Sequence, residues 1–346
     1  MPISIVVGGQ YGSEGKGKVA LEMVRRDPST TIVVRPGGTN SGHTGYSTSG
    51  ERIILRQLPT AAIDGRAQVV FPAGSYIDVD LLHREMERVS LPRSRVAIDP
   101  RAHLIRPEHV VWEREGDLVN SIGSTGSGTG GAVIARVARY ATNQPLGMSA
   151  SDSEALQPFL ADTAELMASA LQTGDRILIE GTQGFGLSVL HSHAWPKCTS
   201  RDTTAAGFLS EAGLSPMQVD KIVLVLRCHP IRVAGDSGPL NGETTWQAIA
   251  EKAGVTSDIR EYTSVTQRLR RVGQFDPVVV RRAIQANAPT ELVLNHLDYV
   301  DPQVRLGSFS KKARDFVQHV EQSVGAKVSE VGTDEKTLRP IAAVFA

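Results

Sequence analysis

Cysteine is nearly absent, with Cys198 and Cys228 the two thiols among 346 residues, too few for a disulfide framework. An excess of charge of one sign is also missing. The 37 Lys and Arg residues balance 37 Asp and Glu, and no block of five or six like charges occurs. An electrostatic tether to nucleic acid or to an anionic membrane therefore has no compositional support. Long apolar runs are lacking too: a run such as residues 222–226 is far short of the ~20 residues that cross a bilayer. The first residues, Met1-Pro2-Ile3-Ser4-Ile5-Val6-Val7, show no basic stretch ahead of their apolar ones. A reducing cytoplasm is the expected location, the host cytoplasm if the chain is viral.

What is present is an alternation. Short β-branched runs at residues 3–7, 31–35, 67–72, 176–180, 221–226 and 291–294 end in Gly, Pro or polar residues. Helical patterns lie between several of them, after Lys16 and over residues 153–171 and 277–287. This predicts an α/β fold with a mainly parallel central sheet flanked by helices, as one domain over residues 1–346.

The first run leads into Gly8-Gly9-Gln10-Tyr11-Gly12-Ser13-Glu14-Gly15-Lys16-Gly17-Lys18. Glycines let backbone N–H groups approach an anion, the following helix N-terminus adds its dipole, and two lysines add charge, so the segment reads as a nucleotide-phosphate cradle. It is P-loop-like without being a Walker A sequence, because Gly17 stands where Ser or Thr would bind magnesium. A plain glycine-rich turn is the alternative. Gly126-Ser127-Gly128-Thr129-Gly130-Gly131 fits a dinucleotide fingerprint by letter, but no clear strand precedes it; its hydroxyls and N–H groups suit a monophosphate better. His43 follows the second run in a loop with Asn40, where ligands of α/β proteins bind. Residues 263–271 gather hydroxyls and arginines fit for a carboxylate or phosphate, or else form a solvated helix face. Asn295-His296-Leu297-Asp298 ends a strand with a carboxylate suited to a purine edge, or simply terminates it.

In this order the segments resemble adenylosuccinate synthetases over nearly the whole chain. The family loop G-Q-W-G-D-E-G-K-G-K stands here as residues 9–18, and the likeness continues through residues 40–44, 122–126, 137–139, 180–184, 199–200, 232–233 and 268–271. The resemblance implies a ligase that phosphorylates a purine 6-oxygen and lets the aspartate amine displace phosphate. It assigns catalysis to His43 and Lys16, and leaves the N1 proton of the purine either to Ser13, through water or magnesium-bound hydroxide, or to Glu14. It places the triphosphate on Gly12, Ser13, Glu14, Gly15, Lys16, Gly17 and Lys18, with Gly42, His43 and Thr44 beside them, and its base against Asn295, Leu297, Asp298 and Gly332. The nucleotide monophosphate would meet Ser13, Asn40, Ser124, Thr125, Gln183, Leu187, Thr199, Arg232, Val233 and Arg268, with Arg139 reaching it from the partner of a homodimer. Aspartate would meet Val265, Thr266, Gln267, Arg268 and Arg270, and Mg2+ would meet Ser13 and the Gly42 carbonyl.

Two departures stand out. Ser13 replaces the aspartate that removes the purine N1 proton in the family, and His296 replaces the lysine of the T-K-x-D guanine-reading motif. Both are what the viral 2-amino-deoxyadenylosuccinate synthetases of this family look like. They imply dGMP as substrate and ATP or dATP, with GTP less favoured, as energy donor. An ordinary synthetase acting on IMP with GTP, and an inactive nucleotide sensor, are the alternatives.

Overall fold

The computed structural model describes residues 2–139, 146–263 and 267–345. Nine strands form one sheet, in spatial order Leu338–Pro340, Glu330–Gly332, Glu291–Asn295, Val219–Arg227, Ile3–Gly8, Arg176–Glu180, Thr30–Val34, Gln68–Phe71 and Val96–Ile98. All neighbours run parallel except the edge strand Leu338–Pro340, which pairs antiparallel with Glu330–Gly332. Strands from both ends of the chain thus share one sheet.

The sheet separates two apolar layers. Ile3, Ile5 and Val7 point into one, beneath helices Ala205–Ala212, Pro277–Asn287 and Lys311–Val324; Val6 points into the other with Val19, Ala20 and Val24 of helix Lys16–Arg26. Alternation along a strand covered on both faces gives this division.

All six expected strands recur within two residues at each end, the first as Ile3–Gly8. The helix expected over residues 153–171 does not form as one element. A 3-10 stretch Glu154–Phe159 contains Pro158, and helix Thr163–Gln172 starts afresh where Asp162 accepts from the N–H groups of Ala164 and Glu165. Proline removes a donor, and the Asp162 cap begins a new ladder. The helix-face reading of residues 263–271 finds no support among the described ones: residues 263 and 267–270 lie outside any helix, and Arg271–Val272 pairs as a short strand with Ile231–Arg232.

Candidate active site

The innermost strand, Ile3–Gly8, stops where the loop must turn sharply into helix Lys16–Arg26. Gly12, Ser13 and Gly15 take left-handed φ values of 88°, 58° and 92°, which glycine adopts freely and serine at some cost. Glu14 organises this loop from within. Its Oε1 accepts from the N–H groups of Gln10 (3.1 Å) and Gly12 (2.8 Å), and its Oε2 pairs with Lys16 Nζ at 2.7 Å. The carboxylate is fully buried, so as the proton acceptor that the sequence offered, Glu14 is misplaced: both its oxygens are committed to holding the loop.

A cavity of about 350 Å3 opens beside the loop. Tyr11, Gly12, Ser13 and Lys16 form one wall, Asn40, Gly42 and His43 another, and Gln183, Leu187, Thr199, Arg232, Val233, Arg268 and Arg270 close it. The structure therefore brings together most residues expected to meet the nucleotide, including Ser124 and Thr125. Gln183 Nε2 donates to the Asn40 carbonyl (3.1 Å), Asn40 Nδ2 to Thr199 Oγ1 (3.1 Å), and Thr199 N–H to the Leu187 carbonyl (2.8 Å). Arg232 is buried over the Tyr11 ring, and its Nε and Nη2 have no hydrogen-bond partner. Buried guanidinium N–H groups without acceptors on a cavity wall suit an anionic ligand.

His43 opens the hairpin strand His43–Tyr46. Its Nδ1 lies 2.5 Å from Glu180 Oε1 and 2.9 Å from Arg35 Nη1. Glu180, fully buried at the end of strand Arg176–Glu180, also accepts from Arg35 Nη1 (3.0 Å), Thr60 N–H (2.7 Å) and Thr60 Oγ1 (2.9 Å). With Nδ1–H directed at the carboxylate, Nε2 is the ring atom left for the cavity. Burial, then the Arg35 charge, push the imidazole down to about 4 against the pull of Glu180, so the ring is neutral near pH 7 while no anion is bound.

Ser13 Oγ accepts from Arg270 Nη1, and the Ser13 carbonyl accepts from Arg227 Nη1 (3.0 Å). A hydroxyl already facing a guanidinium is poorly placed to meet a second cation, which counts against Ser13 as a magnesium ligand and leaves Gly42 on the cavity wall. Among the described residues no cluster of three His, Cys, Asp or Glu side chains is arranged for a metal.

Other expectations fare differently. Val265 and Thr266 lie outside the described residues. Gln267 and Arg268 are exposed beside Arg270. Arg139, exposed after helix Thr129–Ala138, does not line this chain's cavity. Several N–H groups of the 126–131 loop are already engaged, since Glu113 accepts from Gly128 (2.9 Å) and Gly130 (2.6 Å). On the far side of the glycine loop, Asn295 Nδ2 donates to the Glu14 carbonyl (2.7 Å), and Lys18 Nζ to the Asp334 carbonyl (2.8 Å). Gly332 lies against Asn295 and Lys18, where a side chain would collide with both. Leu297 and Asp298 are buried in the following turn, and Thr44 continues from His43. Burial, against the nearby Asp298 and Asp334, pulls the Lys18 amine down to about 8.

Sequence reading gave no role to Arg227 or Glu261. Arg227 Nη2 pairs with Glu261 Oε1 at 2.6 Å, and Tyr299 donates its hydroxyl to the same oxygen at 3.0 Å. Arg227 ends strand Val219–Arg227, a position shared with other site residues and the one signal available for it.

The family model of adenylosuccinate synthetase matches residues 5–148 and 141–307. An adenylosuccinate synthetase of Pyrococcus sp. (strain ST700) is 36% identical over 341 residues, covering 96% of each chain. That of Thermococcus onnurineus is 37% identical over 345 residues, again with 96% of each covered. Among solved structures, the succinoaminodeoxyadenylate synthetase PurZ of cyanophage S-2L, bound to dGMP and dATP as an energy donor, aligns with a TM-score of 0.79 at 27% identity over 98% of this chain and 95% of its own. The fully ligated adenylosuccinate synthetase of Plasmodium falciparum, at TM-score 0.81 and 19% identity, shares the fold over 97% and 99% of the two chains. The chain belongs to the adenylosuccinate synthetase family, carbon–nitrogen ligases that use Mg2+ and a nucleoside triphosphate to act on a purine nucleotide and aspartate.

Proposed function

We propose that this ligase joins L-aspartate to C6 of dGMP, with ATP or dATP converted to its diphosphate and phosphate. The carrying observation is Ser13 in the cavity wall with its hydroxyl bound by Arg270, where the family loop has a carboxylate. A short side chain leaves room beside N1 and C2 of the purine for an exocyclic 2-amino group. The likeness to the cyanophage protein bound to dGMP and dATP supports the same reading.

The 6-oxygen of dGMP attacks the γ-phosphorus, the diphosphate leaves, and the N1 proton departs. The aspartate amine then forms the C6–N bond, releases a proton, and displaces phosphate. Bound magnesium supplies charge neutralisation for the triphosphate. Lys16 and the loop place phosphates in line, a task of positioning and electrostatics. Arriving phosphate charge raises the His43 pKa, Glu180 steadies the imidazolium through Nδ1, and Nε2–H donates to the oxygen under transfer. Ser13 passes the N1 proton to water. Arg268 and Arg270 receive aspartate, and Arg139 completes the partner's nucleotide site in a homodimer.

A second reading, IMP with GTP, is favoured by one observation: the archaeal synthetases are 36–37% identical to this chain, against 27% for the cyanophage protein. Mass spectrometry of products formed from dGMP and IMP offered together with aspartate, magnesium, ATP and GTP separates the two. The expected product is N6-succino-2-amino-2'-deoxyadenylate. Succinylated AMP alone supports the second reading, and nucleotide binding with no diphosphate release would mean an inactive sensor.

A further inference from the structure

Asp298, in the turn Leu297–Tyr299, is 4% exposed and uses its two oxygens unequally. Oδ2 accepts from both Nε (3.0 Å) and Nη2 (2.6 Å) of Arg305, whereas Oδ1 is buried with no hydrogen-bond partner. Asn295 Oδ1 and Thr333 Oγ1 are buried and unpartnered as well. These two residues sit at the C-terminal ends of the adjacent parallel strands Glu291–Asn295 and Glu330–Gly332. Three buried oxygens with accepting capacity left over at one end of a sheet suit a place that receives donors from a ligand. Arg305 is half exposed and covers the carboxylate from the solvent side.

We propose that Arg305 sets the base preference of the triphosphate, by occupying one oxygen of Asp298 and leaving a single acceptor that suits adenine and not guanine. The inference rests on the reading that the triphosphate's base lies against Asp298. Guanine presents N1–H and its 2-amino group side by side, and a free carboxylate takes one on each oxygen. Adenine presents one amino donor beside an acceptor nitrogen. With Oδ2 filled by two N–H groups of Arg305, guanine must displace a charge-assisted pair or leave one donor buried without an acceptor. Adenine needs only Oδ1.

Calorimetric titration of the full chain with magnesium and the β,γ-imido analogues of ATP and GTP tests this without requiring ligation. The unsubstituted protein is expected to favour the ATP analogue by about tenfold or more. Arg305→Met is expected to shift the ratio of the two dissociation constants about tenfold toward GTP, and Arg305→Lys by less. Asp298→Asn is expected to weaken both nucleotides. Should Arg305→Met fail to fold, Arg305→Lys and Arg305→Gln give the same comparison. A ratio unchanged in every Arg305 variant, with Asp298→Asn still weakening binding, overturns the role of Arg305 and leaves the base where it was placed. Unchanged binding in Asp298→Asn removes that placement and the inference with it. A preference of the unsubstituted protein for the GTP analogue also overturns it.

Discussion

Ser13 stands at a left-handed φ of 58° between two arginines, with Arg227 on its carbonyl and Arg270 on its hydroxyl. Aspartate tolerates that backbone region better than most residues and would pair with Arg270, so Ser13→Asp should fold and change chemistry more than stability. Its carboxylate would accept the N1 proton and fill the space beside C2. The ratio of kcat/KM for IMP over dGMP is expected to rise about tenfold or more in steady-state assays. An unchanged ratio would take specificity away from this position. Glu14, next in sequence, illustrates how a residue type misleads when its direction is unknown. A carboxylate in a phosphate loop reads as a base, yet this one is spent on Gln10, Gly12 and Lys16.

Three elements meet at Glu180. Arg35 follows strand Thr30–Val34, His43 begins the hairpin strand His43–Tyr46, and Thr60 opens the 3-10 turn Thr60–Asp64; all donate to, or lie against, the one buried carboxylate. Replacing it by an amide leaves the buried Arg35 without its counter-charge and loosens the orientation of His43. Glu180→Gln should lose about 3–5 kcal/mol in urea unfolding. Its kcat should fall by about 10² or more, with a much smaller change in KM, because the imidazolium that forms with bound phosphates loses its partner. A stable variant with full kcat would show that Glu180 only fills space.

At the scale of the whole molecule, one chain's cavity lacks Arg139, which lies exposed after helix Thr129–Ala138. If it serves the neighbouring site of a two-fold dimer, two crippled chains can repair each other. Arg139→Ala and His43→Asn should each be nearly inactive alone. Co-expressed, they should recover about a quarter of normal activity, since half the dimers are mixed and each mixed dimer holds one intact site. No recovery in mixed dimers confirmed by mass would place Arg139 in its own chain's site, and full activity of Arg139→Ala alone would place it in none.

The β-branched runs, the glycine loop and the order of motifs were sufficient to determine the parallel sheet, the strand-loop-helix start of the chain and the family. Each depends on local propensity or on short-range spacing, which sequence displays directly. Ser13 and His296 were also visible as departures, because each sits inside a recognisable motif. The tertiary structure alone decided which groups are free to act. Glu14 turns inward, Glu113 closes off the glycines of the 126–131 loop, and Arg305 occupies half of Asp298. Arg227 and Glu261, 34 positions apart, meet behind Ser13. Partnerships between distant residues depend on where the sheet brings strand ends together, and the direction of a charged side chain follows from the hydrogen bonds it finds there.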